Sequence, residues 1–94
     1  MRKIYKYKLE TVDNQILKIP MLFQSDFKKQ LLKIDVQNGV PCMWCLVDPD
    51  EPIRDVNITI VGTGNPMGFF TKDDYLGSYM LLDGNLVFHV FLNM

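Results

Sequence analysis

The chain contains no alanine, an odd omission for a helical protein, because alanine is the strongest helix former. It has one His, one Trp and two Cys, and its only arginines are Arg2 and Arg54. No apolar run approaches the roughly 20 residues that a membrane-crossing helix needs. Neither sign of charge dominates: 10 basic side chains face 11 acidic ones, for a net charge of -1. That balance offers no global attraction to a polyanion and argues against nucleic acid as a partner. The basic start Met1-Arg2-Lys3 runs into Ile4, Tyr5, Lys6, Tyr7 and Lys8 rather than an apolar stretch, so no secretory signal is expected. What is present is 94 residues, 48% of them hydrophobic. That is enough for one folded domain over residues 1–94 and too apolar for a disordered chain. A domain of this size buries only about 60% of the surface its unfolded chain exposes, so its core is thin.

The two cysteines, Cys42 and Cys45, stand in Pro41-Cys42-Met43-Trp44-Cys45-Leu46-Val47. In a reducing compartment both are thiols. A redox CxxC sits at a helix N-terminus, which lowers the nucleophile's pKa. Here residues 40–47 read as a strand, on which positions three apart point to opposite faces. The sulfurs therefore do not converge on a metal, and His89 is the one further obvious donor for a zinc site that needs four ligands. No metal and no cofactor is expected; the cysteines read as small buried hydrophobes.

Strand signals dominate the rest. Arg2 to Leu9 alternates, turn chemistry follows at Asp13-Asn14, and Gln15 to Pro20 returns as a second strand, which predicts an N-terminal hairpin. Met21 to Leu31 is the one helix candidate, with Ser25 as its cap and Phe23, Phe27 and Leu31 on one face. A short helix near residues 24–31 and a loop pinned by its phenylalanines fit equally. Leu32 to Gln37 and Val40 to Val47 flank Asn38-Gly39, the strongest short hairpin signal. Asp48 to Asp55, with two prolines and four acids, reads as a solvated loop. Val56 to Val61, Tyr75 to Leu82 and Leu86 to Leu92 complete the strands, the last two joined by a tight turn at Asp83-Gly84. The final strand is apolar on both faces apart from His89, as a central strand would be. The expected architecture is all-β: a single small sandwich or barrel of about seven strands.

Candidate chemistry is sparse. Gly62-Thr63-Gly64-Asn65 could present backbone amides to a phosphate or a ribose, although no helix follows as the dinucleotide fingerprint requires. A loop that simply needs positive φ explains the same residues. Arg54 could fork onto a phosphate, Trp44 could stack on a base, and His89 could bond a ligand. Surface charge, core packing and an ordinary core histidine are the plainer readings of those three. Ser25 and Ser78 lie in no nucleophile context, and the acids fall in or beside solvated loops. No catalytic residues are therefore assigned.

The segments Lys3-Ile4-Tyr5-Lys6-Tyr7, Val36-Gln37-Asn38-Gly39-Val40-Pro41, Trp44, Gly62-Thr63-Gly64-Asn65-Pro66, Tyr75-Leu76-Gly77 and Leu86-Val87-Phe88-His89-Val90-Phe91 follow in that order. Over nearly its whole length the chain resembles a family of small proteins of unknown function encoded by tailed bacteriophages and prophages. One departure is the stretch Met21 to Gln30, longer than the short Gly-containing turn of that family and carrying Phe23 and Phe27. The resemblance implies a binding protein acting in the cytoplasm of a bacterial host. The expected function is to counter host defence by sequestering a small anionic nucleotide signal, through Gly62, Thr63, Gly64, Asn65, Arg54, Trp44 and His89. The alternative is a structural or protein–protein adaptor that meets a host or phage protein through a sheet edge or an apolar patch. A thin core and open strand edges favour a homo-oligomer, with a dimer first.

Overall fold

A computed structural model describes residues 1–23 and 26–93. The Ser25 cap lies outside the described residues. The chain forms two antiparallel sheets. The three-stranded sheet has the order β1-β4-β3, with β1 at Lys3–Lys8, β3 at Leu31–Gln37 and β4 at Val40–Val47. The four-stranded sheet has the order β2-β5-β7-β6, with β2 at Asn14–Pro20, β5 at Ile53–Gly62, β6 at Tyr75–Leu81 and β7 at Leu86–Leu92. The edge strands β3 and β6 run side by side and join the layers along one flank. A shortest backbone extent of 18 Å matches two stacked layers.

Strict alternation builds the core between the sheets. Met43, Cys45 and Val47 of β4 face Ile19, Val56, Ile58, Ile60, Tyr79 and Val90 of the other layer. Every second residue points into this core because successive side chains of a strand point to opposite faces. Cys42 and Cys45 therefore lie on opposite faces of β4, both as buried free thiols, with Cys45 in the core and Cys42 donating to Val40 O at 3.4 Å.

Several expectations are corrected. The first two strands do not form a hairpin: β1 pairs with β4 and β2 pairs with β5. After Leu9, whose amide still donates to Pro41 O of the first layer, the chain crosses over, and Asp13 O receives the Ile60 amide in the second. Asp13-Asn14 lacks the Gly that a two-residue primed turn favours, and the connection is held instead by the Gln15 side chain, which accepts from the Glu10 amide at 3.1 Å and donates to Glu10 O at 2.6 Å. The helix candidate is one 3-10 turn at Phe27–Lys29, with Phe27 buried. β5 begins at Ile53, three residues before its expected start, because Ile53, Arg54 and Asp55 pair with Pro20, Ile19 and Lys18. The Asp83-Gly84 turn is wider than two residues. It spans Leu82–Asn85, with Leu82, Asp83 and Gly84 all at positive φ. Asn38 and Gly39, at φ 51° and 79°, form the type I′ turn their sequence predicts.

One buried polar residue ties the layers together. Gln30 Oε1 accepts from the amides of Leu22 at 2.9 Å and Phe23 at 3.3 Å. Its Nε2 donates to Pro20 O at 3.0 Å and Leu46 O at 2.9 Å. Pro20 ends β2 and Leu46 belongs to β4, so one amide side chain bridges both sheets. Every polar atom of that side chain is satisfied, as burial demands.

Candidate functional site

The structure brings together Gly62, Thr63, Gly64, Asn65 and His89, at the end of the four-stranded sheet where β5 leaves it. Gly62 to Asn65 is a β-turn closed by the Asn65 amide on Gly62 O at 3.0 Å, with Gly64 at its third position and φ +89°. That position of a type II turn requires positive φ, which explains the glycine. The Thr63 amide is spent on Val87 O at 3.0 Å. Two of the amides that could have cradled an anion are thus already paired within the backbone. The adjoining cleft, lined by Asp13, Thr59 to Gly62 and Asn65 to Gly68, holds about 150 Å³, small beside ordinary ligand sites of about 300 Å³ upward.

His89 is held by two hydroxyls. Thr63 Oγ1 lies 2.7 Å from Nε2 and Tyr75 Oη lies 2.9 Å from Nδ1. Thr63 Oγ1 also lies 3.3 Å from Val87 O, to which its proton can go. One tautomer then satisfies the set: Nε2–H donates to Thr63, and Nδ1 accepts from Tyr75. No carboxylate or nucleophile takes part. Around this triplet the loop after Gly62 folds back over the outer sheet face. Phe70 stacks on Phe91 at 5.3 Å between centroids, and Tyr75 meets Phe91 edge-on at 5.2 Å. Phe69, by contrast, is fully exposed beside half-exposed Met67. Further along this face, Asn93 Nδ2 donates to Thr59 Oγ1 at 3.1 Å, and Thr59 donates to Asn14 Oδ1 at 2.7 Å.

Arg54 and Trp44 do not join this group. Arg54 sits eight residues back along β5 from Gly62, roughly 26 Å at about 3.3 Å per residue. Trp44 belongs to β4, on the outward face of the other sheet, paired with Lys6 and Lys33. Tyr75, the second partner of His89, carried no signal beyond its aromatic ring, since its distance from His89 in sequence hides the contact.

A second concavity was not legible either. A cleft of about 650 Å³ opens between the two hairpin turns, lined by Val36, Gly39, Met80, Leu81, Leu82, Asp83, Gly84 and Leu86. Met80, Leu82 and Leu86 are exposed by 59%, 68% and 44%. Leu82 holds φ +52° there, a conformation that costs a non-glycine residue about 1–2 kcal/mol. The only sequence signal was a leucine next to the turn dipeptide.

The cysteines offer little chemistry. Burial pushes the Cys45 thiol up to about 12, so near neutrality it is neither a nucleophile nor a thiolate ligand. Tyr7 is likewise raised to about 12, first by burial and then by Cys45 and Tyr5 beside it. Among the described residues no group of three or more His, Cys, Asp or Glu is placed to hold a metal ion. No described helix is long and apolar enough to cross a membrane.

Fold and surfaces define a small all-β, two-sheet protein whose concave features include an apolar cleft and a shallow polar turn. The model of a domain of unknown function, DUF7352, matches residues 1–94, and the chain belongs to that family. Neither the curated proteins nor the solved structures contain a match.

Proposed function

We propose that this is a non-catalytic binding protein, an adaptor that takes an apolar side chain of a protein partner into the cleft between its two hairpin turns. The observation that carries the reading is Leu82, exposed and held at positive φ over that cleft with Met80 and Leu86. An exposed leucine gains nothing from water, and Asn or Gly would hold the same backbone at less cost. Methionine adapts to irregular apolar partners. The resemblance to tailed-phage and prophage proteins supplies the setting: a phage-encoded factor meeting a host defence protein or a virion component in the bacterial cytoplasm. Self-association belongs to the same reading. β1 and β2 are edge strands, and a second copy could cover either.

Sequestration of a small anionic nucleotide is the second reading. One observation favours it: space is open above Gly64, so a ligand can approach the backbone there. Against it stand the spent amides of Thr63 and Asn65 and the remoteness of Arg54.

The experiment is a peptide-array screen with the purified chain, each hit remeasured by calorimetry on Leu82→Asn and Met80→Gln. Peptides with a bulky apolar anchor are expected to bind and to weaken about tenfold or more on either variant. Hits indifferent to both substitutions would sink the cleft. A thermal-shift panel of cyclic dinucleotides and ADP-ribose derivatives tests the second reading, since a ligand of the folded state alone must raise its melting temperature.

A further inference from the structure

We infer that the outward face of the three-stranded sheet binds single-stranded nucleic acid, with Trp44 of the central strand as a stacking platform and lysines of the two flanking strands on the phosphates. The face follows from register. Trp44 at the centre of β4 pairs with Lys6 of β1 on one side and Lys33 of β3 on the other. The next outward row on the same face is Lys8, Cys42 and Asp35. Lys6, Lys8 and Lys33 are exposed and Trp44 is half-buried. Around the β3 edge Lys28 and Lys33 line one cleft of about 240 Å³ together with Tyr75, a second aromatic ring.

Charge complementarity selects the occupant. The chain as a whole is slightly acidic at -1, yet Lys6, Lys8 and Lys33 share the face of the tryptophan, and Lys28 extends the track at the β3 edge. The negative groups that meet it are few. Asp35 contacts Lys33 at 3.3 Å, and Lys28 donates to the backbone carbonyl of Asp73. Lys6 otherwise donates to the neutral Gln37 side chain at 2.8 Å. An aromatic ring in a row with cations suits a chain of unpaired bases, whose flat faces stack and whose phosphates follow the basic track. A duplex keeps its bases stacked inside and has no free base for Trp44. The near-neutral net charge gives no long-range attraction, but salt-screened attraction acts over about 10 Å and so reads the local stripe, which the charge balance of the whole sequence does not reveal.

Trp44 is the only tryptophan, so its fluorescence reports the platform directly. The purified chain is titrated with oligo-dT and oligo-U of about 12 nucleotides, within the usual site sizes of small single-strand-binding folds. Fluorescence quenching and the anisotropy of labelled oligonucleotide are followed from low to physiological salt. The expected result is quenching together with binding that falls linearly in log–log coordinates as salt rises. Lys6→Gln and Lys33→Gln, both exposed and harmless to folding, should each weaken binding and reduce the salt slope by about one. Trp44→Phe should weaken binding while keeping part of the stacking. No anisotropy change at low salt would overturn the proposal, as would equal binding of duplex or affinities indifferent to both lysine variants. Saturable quenching by free mononucleotide with no gain for the oligonucleotide would overturn it too, since a strand-binding face must reward successive phosphates.

Discussion

The two sheets each turn one face to solvent, and the two faces are finished differently. On the four-stranded sheet the polar groups are spent on one another. Asn14, Thr59 and Asn93 form one chain, Thr63, His89 and Tyr75 another, and a loop folds back to stack Phe70 on Phe91. On the three-stranded sheet, cations from the two flanking strands stand on either side of one indole, and Asp35 is the acid in their rows. The first face resembles a finished interior and the second an unfinished contact. Residues prominent in the sequence, the Gly62–Gly64 turn and the lone His, went to the finished face. Ordinary lysines made the open one.

The largest expected effect comes from the seam that holds both faces in place. Gln30→Ala leaves two amides and two carbonyls without their partner and should cost about 3 kcal/mol or more, read from urea denaturation. A loss below about 1 kcal/mol would show that the sheets dock without it. Next, the cysteines sample one strand from its two sides. Cys45→Ser puts a hydroxyl into the core and should cost about 2 kcal/mol, whereas Cys42→Ser, beside the Val40 carbonyl, should cost about 1 kcal/mol or less. Equal costs would break the distinction between inner and outer face.

Alkaline titration sharpens the same contrast. Cys45 and Tyr7 both have raised pKa values in the folded chain, near 12. Their contribution to stability is fully present below the unfolded values of 9.0 and 10.0 and is lost as pH rises toward 12. The loss for Cys45 is about 1.4 kcal/mol per pH unit within that window. Chemical denaturation across it should show a falling stability that Cys45→Ala makes shallower, most clearly between pH 9 and 10 where Tyr7 does not yet contribute; a profile already flat in the parent chain contradicts the buried thiol. Smaller still is Gly64→Val. Its added Cβ meets nothing, but φ +89° strains any side chain, for about 1 kcal/mol in thermal unfolding. The smallest effect is Thr63→Val, expected to cost about 0.5–1 kcal/mol because its hydrogen bonds lie at the surface. The ring nitrogen shifts of His89 should nevertheless move in NMR spectra. Unchanged shifts would mean that the hydroxyl does not set the tautomer.

The strands, the Asn38-Gly39 turn and the burial of Cys42 and Cys45 could be read directly, because alternation and turn chemistry act over a few neighbouring residues. The start of β5 could not. Arg54 and Asp55 look like loop residues until Ile19 and Lys18 are seen beside them. Gln30, in a stretch that reads as a poor helix, gives no hint that it will be buried among backbone groups of both sheets.

By itself, then, the sequence determined that this is a single all-β domain, where most of its strands run, and which side chains alternate inward. Tertiary structure alone decided which sheet each strand joins. That choice separated β1 from β2, drew Thr63 and Tyr75 to His89, left Arg54 far from the glycine turn and set Lys6 and Lys33 on either side of Trp44. The physical reason is that a strand carries its own side-chain period but not its partner. Outside the two hairpins, pairing is chosen by the packing of residues far apart in the chain, such as Lys6 with Trp44, and no local pattern records it.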